Sequence, residues 1–188
     1  MRIITGIARG AKLEAPAGLH TRPTAERTKE AVFSMLGGRF ATGVALDLFA
    51  GSGQLGLEAV SRGAAKAILV ERDKTALATL RKNATHTKLD SLVEIKEAEA
   101  LSFLRTYTGE AFRVIFLDPP YGAGLLPLCL EEIARRRLLH ENGVVVCESA
   151  TGDVFGENTA LAAQFSVLRA AKYGVAHVTV LAWKEGAV

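Results

Sequence analysis

One stretch limits the possible folds of this chain more than any other: Leu46-Asp47-Leu48-Phe49-Ala50-Gly51-Ser52-Gly53-Gln54-Leu55-Gly56. An apolar run breaks there into a glycine-rich turn and resumes as an amphipathic segment. A strand that hands its C-terminal end to such a turn and then to a helix opens a nucleotide-binding α/β sheet. Gly51, Gly53 and Gly56 would let the backbone approach a ligand, and the helix N-terminus beyond would offer unpaired N–H groups.

The remaining chain continues that pattern. Apolar runs at Val44–Phe49, Ala67–Glu71, Val93–Lys96, Val114–Leu117 and Val144–Glu148 predict strands. Leu55–Arg62, Lys74–His86, Ala98–Arg105 and Leu125–Arg136 carry apolar residues at three- and four-residue spacing and predict the intervening helices. The expected fold class is therefore a doubly wound α/β sheet, mostly parallel. Phe165–Ala170 and Val175–Trp183, separated by a link containing Gly174, predict an antiparallel hairpin closing one edge. Ahead of the sheet, Arg2–Thr5 and Lys12–Glu14 could pair as a small hairpin, and Thr24 is placed to cap a helix running to about Leu36. This divides the chain into a basic extension, 1–39, and a catalytic domain, 40–188.

The glycine pattern alone admits a dinucleotide or S-adenosylmethionine. Asp47, at the strand end, would repel a pyrophosphate and attract the ammonium and sulfonium charges of S-adenosylmethionine, which favours the cationic cofactor. Glu71, closing the second strand, is placed to accept hydrogen bonds from ribose hydroxyls, and Glu99 is a candidate for the adenine amine. The expected cofactor-binding set is Asp47, Phe49, Ala50, Gly51, Ser52, Gly53, Glu71, Arg72, Glu99 and Ala100.

Asp118-Pro119-Pro120-Tyr121 follows the fourth predicted strand, at the sheet edge where such folds bind ligands. An exocyclic amine on a nucleobase is a poor nucleophile because its lone pair is delocalised into the ring. A site for it must hold the nitrogen in line and accept hydrogen bonds from its N–H groups. Asp118 and the carbonyl of Pro119 can accept them, Pro120 stiffens the loop, and Tyr121 offers a face on which a base can stack. His20, His86, His140 and His177 are scattered without metal-ligand spacing, so no metal is expected.

The net charge of +3 is unevenly spread. Residues 1–39 hold seven Lys and Arg against three acids, whereas 40–188 hold 16 against 17. A basic segment on a neutral body points to a polyanionic partner. Cys129 and Cys147 lie in apolar runs, as core thiols do in a reducing compartment. No apolar run reaches membrane-spanning length, and a cytoplasmic, monomeric protein is expected.

These stretches resemble the RsmD-type bacterial guanine-N2 methyltransferases of 16S ribosomal RNA over nearly the whole chain. The resemblance is carried by Met1-Arg2-Ile3-Ile4 through Arg9-Gly10, Thr21-Arg22-Pro23-Thr24 with Arg27, Leu46 to Ala59, Val70-Glu71-Arg72-Asp73, and Asp118 to Tyr121. It implies a seven-stranded Rossmann-like fold of the class I S-adenosylmethionine-dependent type, methylation of one guanosine in the assembled or assembling small subunit, and RNA contacts from Arg2, Arg9, Lys12, Arg22, Thr24 and Arg27. Lys12 stands where relatives carry a denser basic cluster, and Gln54 where they carry a small residue. Three other readings remain: modification of an adenine amine in DNA, an NAD(P)-dependent oxidoreductase, and a non-catalytic RNA-binding module.

Overall fold

A computed structural model describes residues 1–16, 23–37 and 41–186. Seven strands form one mixed sheet in the order β3-β2-β1-β4-β5-β7-β6. They are β1 (Val44–Asp47), β2 (Lys66–Glu71), β3 (Val93–Glu97), β4 (Phe112–Leu117), β5 (Leu139–Ser149), β6 (Phe165–Tyr173) and β7 (Ala176–Trp183). The first five run parallel, and β7 pairs antiparallel with both β5 and β6. The chain order reverses between β1 and β4, so the loops after these strands open onto a common crevice. This is the Rossmann-like architecture with a C-terminal hairpin that the sequence predicts.

Side-chain alternation along the strands sorts the core into two layers. Leu46, Ile115, Leu117, Val145 and Cys147 face α4 (Ala100–Thr106) and α5 (Leu125–Arg135). Ala45, Val114, Phe116, Val144 and Val146 face α1 (Pro23–Leu36) and α2 (Gln54–Ser61), with α3 (Lys74–His86) beside them. Both cysteines are buried in the first layer, where burial pushes the Cys129 thiol up to about 12. A short helix, α6 (Thr159–Ala162), precedes the hairpin.

Most boundaries shift by one to three residues, and three differences from expectation have a clear cause. β5 begins at Leu139, well before the apolar run, because Leu139 pairs with Phe112 and its carbonyl accepts the Trp183 indole N–H at 3.0 Å. The N-terminal hairpin reduces to a single antiparallel bridge between Arg2 and Lys12, closed by Ile3 N to Ala11 O and Leu13 N to Met1 O. Helix α1 opens at Pro23, whose fixed φ suits the first helical position, so Thr24 lies inside the first turn rather than ahead of it.

The N-terminal segment is bound to the sheet domain by one buried carboxylate. Glu58 of α2, with no exposed surface, accepts from Ile4 N at 2.8 Å and Thr5 N at 3.0 Å. It also pairs with Arg62 at 2.7 Å and Lys29 at 3.1 Å. Lys29 is also buried and donates in turn to the Arg2 carbonyl at 2.6 Å. Burial pulls the Lys29 ammonium below its ordinary pKa, and the adjacent Glu58 partly restores it. Asn83 of α3 makes a second tie, exchanging hydrogen bonds with the Glu14 backbone while donating to Ser52 O.

Removing one partner from a buried ion pair strands the other, a loss of about 3–5 kcal/mol. Glu58→Ala should therefore lower unfolding free energy in urea by about that amount. Hydrogen exchange at the Ile4 and Thr5 amides should accelerate, while amides of β4 stay protected.

Candidate active site

The glycine loop is held from below and from the side. Asp47, 2% exposed, accepts from Gly56 N at 2.9 Å. Glu71 accepts from Gly51 N at 2.8 Å and, through its other oxygen, from Arg72 N and Asp73 N at 2.8 Å each. Gly53 N closes a turn onto Ala50 O. All three glycine N–H groups are thus satisfied within the protein, not left open as the motif suggests.

Two of the glycines are required by packing rather than by a ligand. Gly53 has φ +81°, and a Cβ there would meet Leu80 Cδ1 at 2.3 Å; one on Gly56 would meet Leu69 Cδ2 at 2.1 Å. Beside Gly51, by contrast, the space for a Cβ is open, and Gly51 lines a cavity.

Two cavities lie along the crevice. The first, about 460 Å³, is lined by Phe49, Glu71, Arg72, Glu99, Ala100 and the Asp118–Tyr121 loop, among others. The second, about 390 Å³, is lined on the loop side by Phe49, Ala50, Gly51, Ser52 and Gln54. Its far walls come from both ends of the chain, with Met1, Thr28, Lys29 and Val32 facing Tyr173, Val175 and Val178. Phe49, Asp118 and Tyr121 belong to both cavities and form the divide between them.

The expected site residues are therefore largely gathered, with two exceptions. Gly53 and Asp47 line neither cavity; Asp47 sits under the loop and braces it, so its charge reaches the crevice through the protein and not by contact. Glu99 lines the first cavity and also caps α4, accepting from Ser102 N at 2.8 Å. Burial resists its ionisation, but the helix N–H groups outweigh that and hold its pKa below the ordinary value.

Three carboxyls crowd the sheet edge. Burial, opposed by the Gly56 and Phe49 N–H groups, pushes Asp47 up to about 7. Asp118 is raised by burial first, then by the charges of Glu148 and Asp47. Glu148 is raised by burial, partly offset by the Tyr121 hydroxyl, which donates to its Oε1 at 3.0 Å. Such a site favours an incoming cation or a set of N–H donors and disfavours an anion.

Glu148 is the residue that sequence reasoning misses. It ends a Val-Val-Val-Cys-Glu run that signals only a buried strand, and its role emerges from register. Leu117 pairs with Cys147, so Asp118, the first residue past β4, comes beside Glu148, which is still within β5. Gln54 stands out in the sequence only as a departure from the family pattern. Its Oε1 is buried without a hydrogen-bond partner among the described residues, and Gln54 lies on the wall of the second cavity.

The basic surface is wider than charge counting implies. Arg2, Arg9, Lys12 and Arg27 are exposed, and Arg2 lies 3.9 Å from Glu26. Lys12 shares a groove with Arg81, Lys82 and His86 of α3. Arg22 lies outside the described residues, as does the side chain of Thr24.

Comparison with known proteins gives a consistent picture. The family model described as conserved hypothetical protein 95 matches residues 1–182. Bacillus subtilis (strain 168) YlbH is 41% identical over 150 residues, covering 79% of this chain and 82% of its own. Ribosomal RNA small subunit methyltransferase D of Escherichia coli (strain K12) is 37% identical over 149 residues, 79% of this chain and 74% of its own. The solved structure of Escherichia coli yhhF is 32% identical, covers 98% of both chains and superposes with a TM-score of 0.83.

The raised Asp118 carboxyl has a consequence for stability. The folded chain keeps this proton at pH values where the unfolded chain has lost it, so stability falls as pH rises above the ordinary 3.8. Asp118→Asn carries no such proton. In melts taken from about pH 4 to neutrality, the Tm of the variant relative to the parent should climb steadily with pH.

Proposed function

The chain belongs to the family described as conserved hypothetical protein 95, and from that premise we propose that it transfers a methyl group from S-adenosylmethionine to the 2-amino nitrogen of one guanosine in 16S ribosomal RNA. Methyltransferase activity itself is what its relatives carry in their names. The observation that supports the finer reading is the pair of cavities meeting at Asp118 and Tyr121. One can take a nucleoside cofactor and the other a base, with the acceptor loop between them.

The residues present fit this cofactor. Gln54 Oε1, buried and without a partner among the described residues, suits an ammonium donor at the loop end of the second cavity. Glu71 retains room for about one further hydrogen bond beyond the three N–H groups it already accepts, enough for a ribose hydroxyl. A pyrophosphate fits poorly, since the loop glycines have no N–H to give it and three carboxyls stand nearby. This counts against the oxidoreductase reading.

When bound, S-adenosylmethionine supplies a methyl on a sulfonium, an electrophile that needs no metal. This chain's task is then to hold and orient the amine. Asp118 accepts a hydrogen bond from the N–H and takes up the proton that the nitrogen loses; its raised pKa suits that task. The Pro119 carbonyl accepts the second N–H, and Tyr121, half exposed at 51%, offers a stacking face to a flipped or unstacked base. Arg9, Lys12 and Arg27, with Arg81 and Lys82 beyond the predicted segment, supply positive charge for RNA phosphates.

Calorimetry should detect binding of S-adenosylhomocysteine and none of NAD. Small subunits from cells lacking this protein should accept a methyl that maps to a guanine N2; a methyl on adenine, or on DNA, would overturn the assignment. Asp118→Ala should abolish transfer while cofactor affinity stays within a few-fold. Replacing Arg9, Lys12 and Arg27 with alanine should leave cofactor binding intact and make subunit binding less sensitive to salt, with the slope falling by about one unit for each phosphate no longer neutralised. An unchanged slope in a folded variant would remove these residues from the RNA interface.

A further inference from the structure

The acceptor loop accounts for Asp118, but it leaves Glu148 without a task. Val114 and Phe116 of β4 and Val144 and Val146 of β5 face the same layer, so by alternation Glu148 within β5 and Asp118, just past the end of β4, continue that face. Both line the second cavity, alongside Tyr121. Both carboxyls are partly buried, the charge of Glu148 opposes the ionisation of Asp118 beside it, and Lys29, a buried cation on the same wall, is already paired with Glu58. Such a pair is costly unless something in the cavity supplies hydrogen-bond donors.

A guanine does so in a particular pattern. Its Watson–Crick edge presents the N1–H directly beside the 2-amino group, a contiguous run of donors facing two adjacent acceptors. Adenine instead places an N1 lone pair beside its amine, which a carboxylate repels. Tyr121, in donating to Oε1, fixes one oxygen of Glu148 and so orients the carboxylate on the cavity wall.

We propose that Glu148 is a specificity-determining residue that accepts the N1–H of the target guanine while Asp118 accepts from its 2-amino group. This rests on the assignment of guanine N2 as the acceptor, and it adds the reason why guanine and not another amino-bearing base is taken. It also explains why an acid, rather than an amide, stands at this position of β5, since the charged acceptor binds the N1–H more strongly and rejects a lone pair more firmly.

The test compares two substrates that share the 2-amino group and differ at N1. Small subunits are reconstituted with RNA carrying either guanosine or 2-aminopurine riboside at the mapped nucleotide. The parent protein should favour guanosine in kcat/KM by roughly 10- to 100-fold, the discrimination expected of one well-made base contact. Glu148→Gln, which can present an N–H to the bare N1, should bring that preference close to unity, mainly by raising activity on 2-aminopurine. Its affinity for S-adenosylhomocysteine should not change. A preference that survives the substitution in a folded, cofactor-binding variant overturns the proposal, as does an equal loss on both substrates, which would mark Glu148 as a brace for Tyr121. Should Glu148→Gln prove unstable, Glu148→Asp serves. It keeps the charge but withdraws it from the base, and should cost guanosine about tenfold without raising activity on 2-aminopurine. Failure of the parent protein to methylate the guanosine substrate at all would overturn the reaction assignment itself, and the inference with it.

Discussion

The carboxylate of Glu58 is the point on which the arrangement of this protein turns. A lone buried carboxylate costs several kcal/mol, and this one is offset by four contacts: two backbone N–H groups, an ammonium and a guanidinium. Because the N–H groups come from Ile4 and Thr5 and the ammonium from α1, the offset is complete only when the N-terminal segment is docked. Docking in turn delivers Met1, Thr28, Lys29 and Val32 to the wall of the second cavity. A charge with no part in chemistry thus decides whether that cavity has a wall.

At the crevice, burial of carboxyls has the opposite outcome. Burial raises Asp47, Asp118 and Glu148 alike, the charges of the other two add to the shift of Asp118, and the hydrogen-bond donors at Asp47 and Glu148 offset it only in part. The glycine loop above them directs its own N–H groups to Asp47, Glu71 and Ala50. A loop of this kind does not act as an anion cradle. It is a rigid rim around an electronegative floor, which is what a sulfonium and a row of N–H donors require.

Much of this is legible in the sequence, and the gaps have physical causes. The parallel strands, their helices and the hairpin follow from periodicity, and α3 begins and ends where the pattern places it. β5 escapes in part because His140–Gly143 carry no apolar signal, though pairing through Leu139 extends the strand across them. The Asp118–Tyr121 loop can be read because four chemically distinctive residues are contiguous. Glu148 cannot, since it depends on a neighbour thirty positions away that only sheet register supplies. The reading of Gly53 and Gly56 as ligand-facing fails for a related reason: a missing Cβ looks the same in sequence whether it makes room for a cofactor or for a leucine. Likewise Lys29, which adds to the basic surplus of the N-terminal segment, is interior, because charge counting cannot see a carboxylate on another helix.

The order of strands carries a consequence for how the protein comes into being. β7 lies between β5 and β6 yet follows both in the chain, so the outer edge of β5 stays bare until β7 has been made. The second cavity needs Met1 on one side and Val178 on the other. The parallel half of the sheet pairs without the hairpin, yet the second cavity gains its last wall only when β7 takes its place beside β5. The first cavity, by contrast, is lined by no residue beyond Leu125, so the chain carries all of its wall before one side of the second cavity exists.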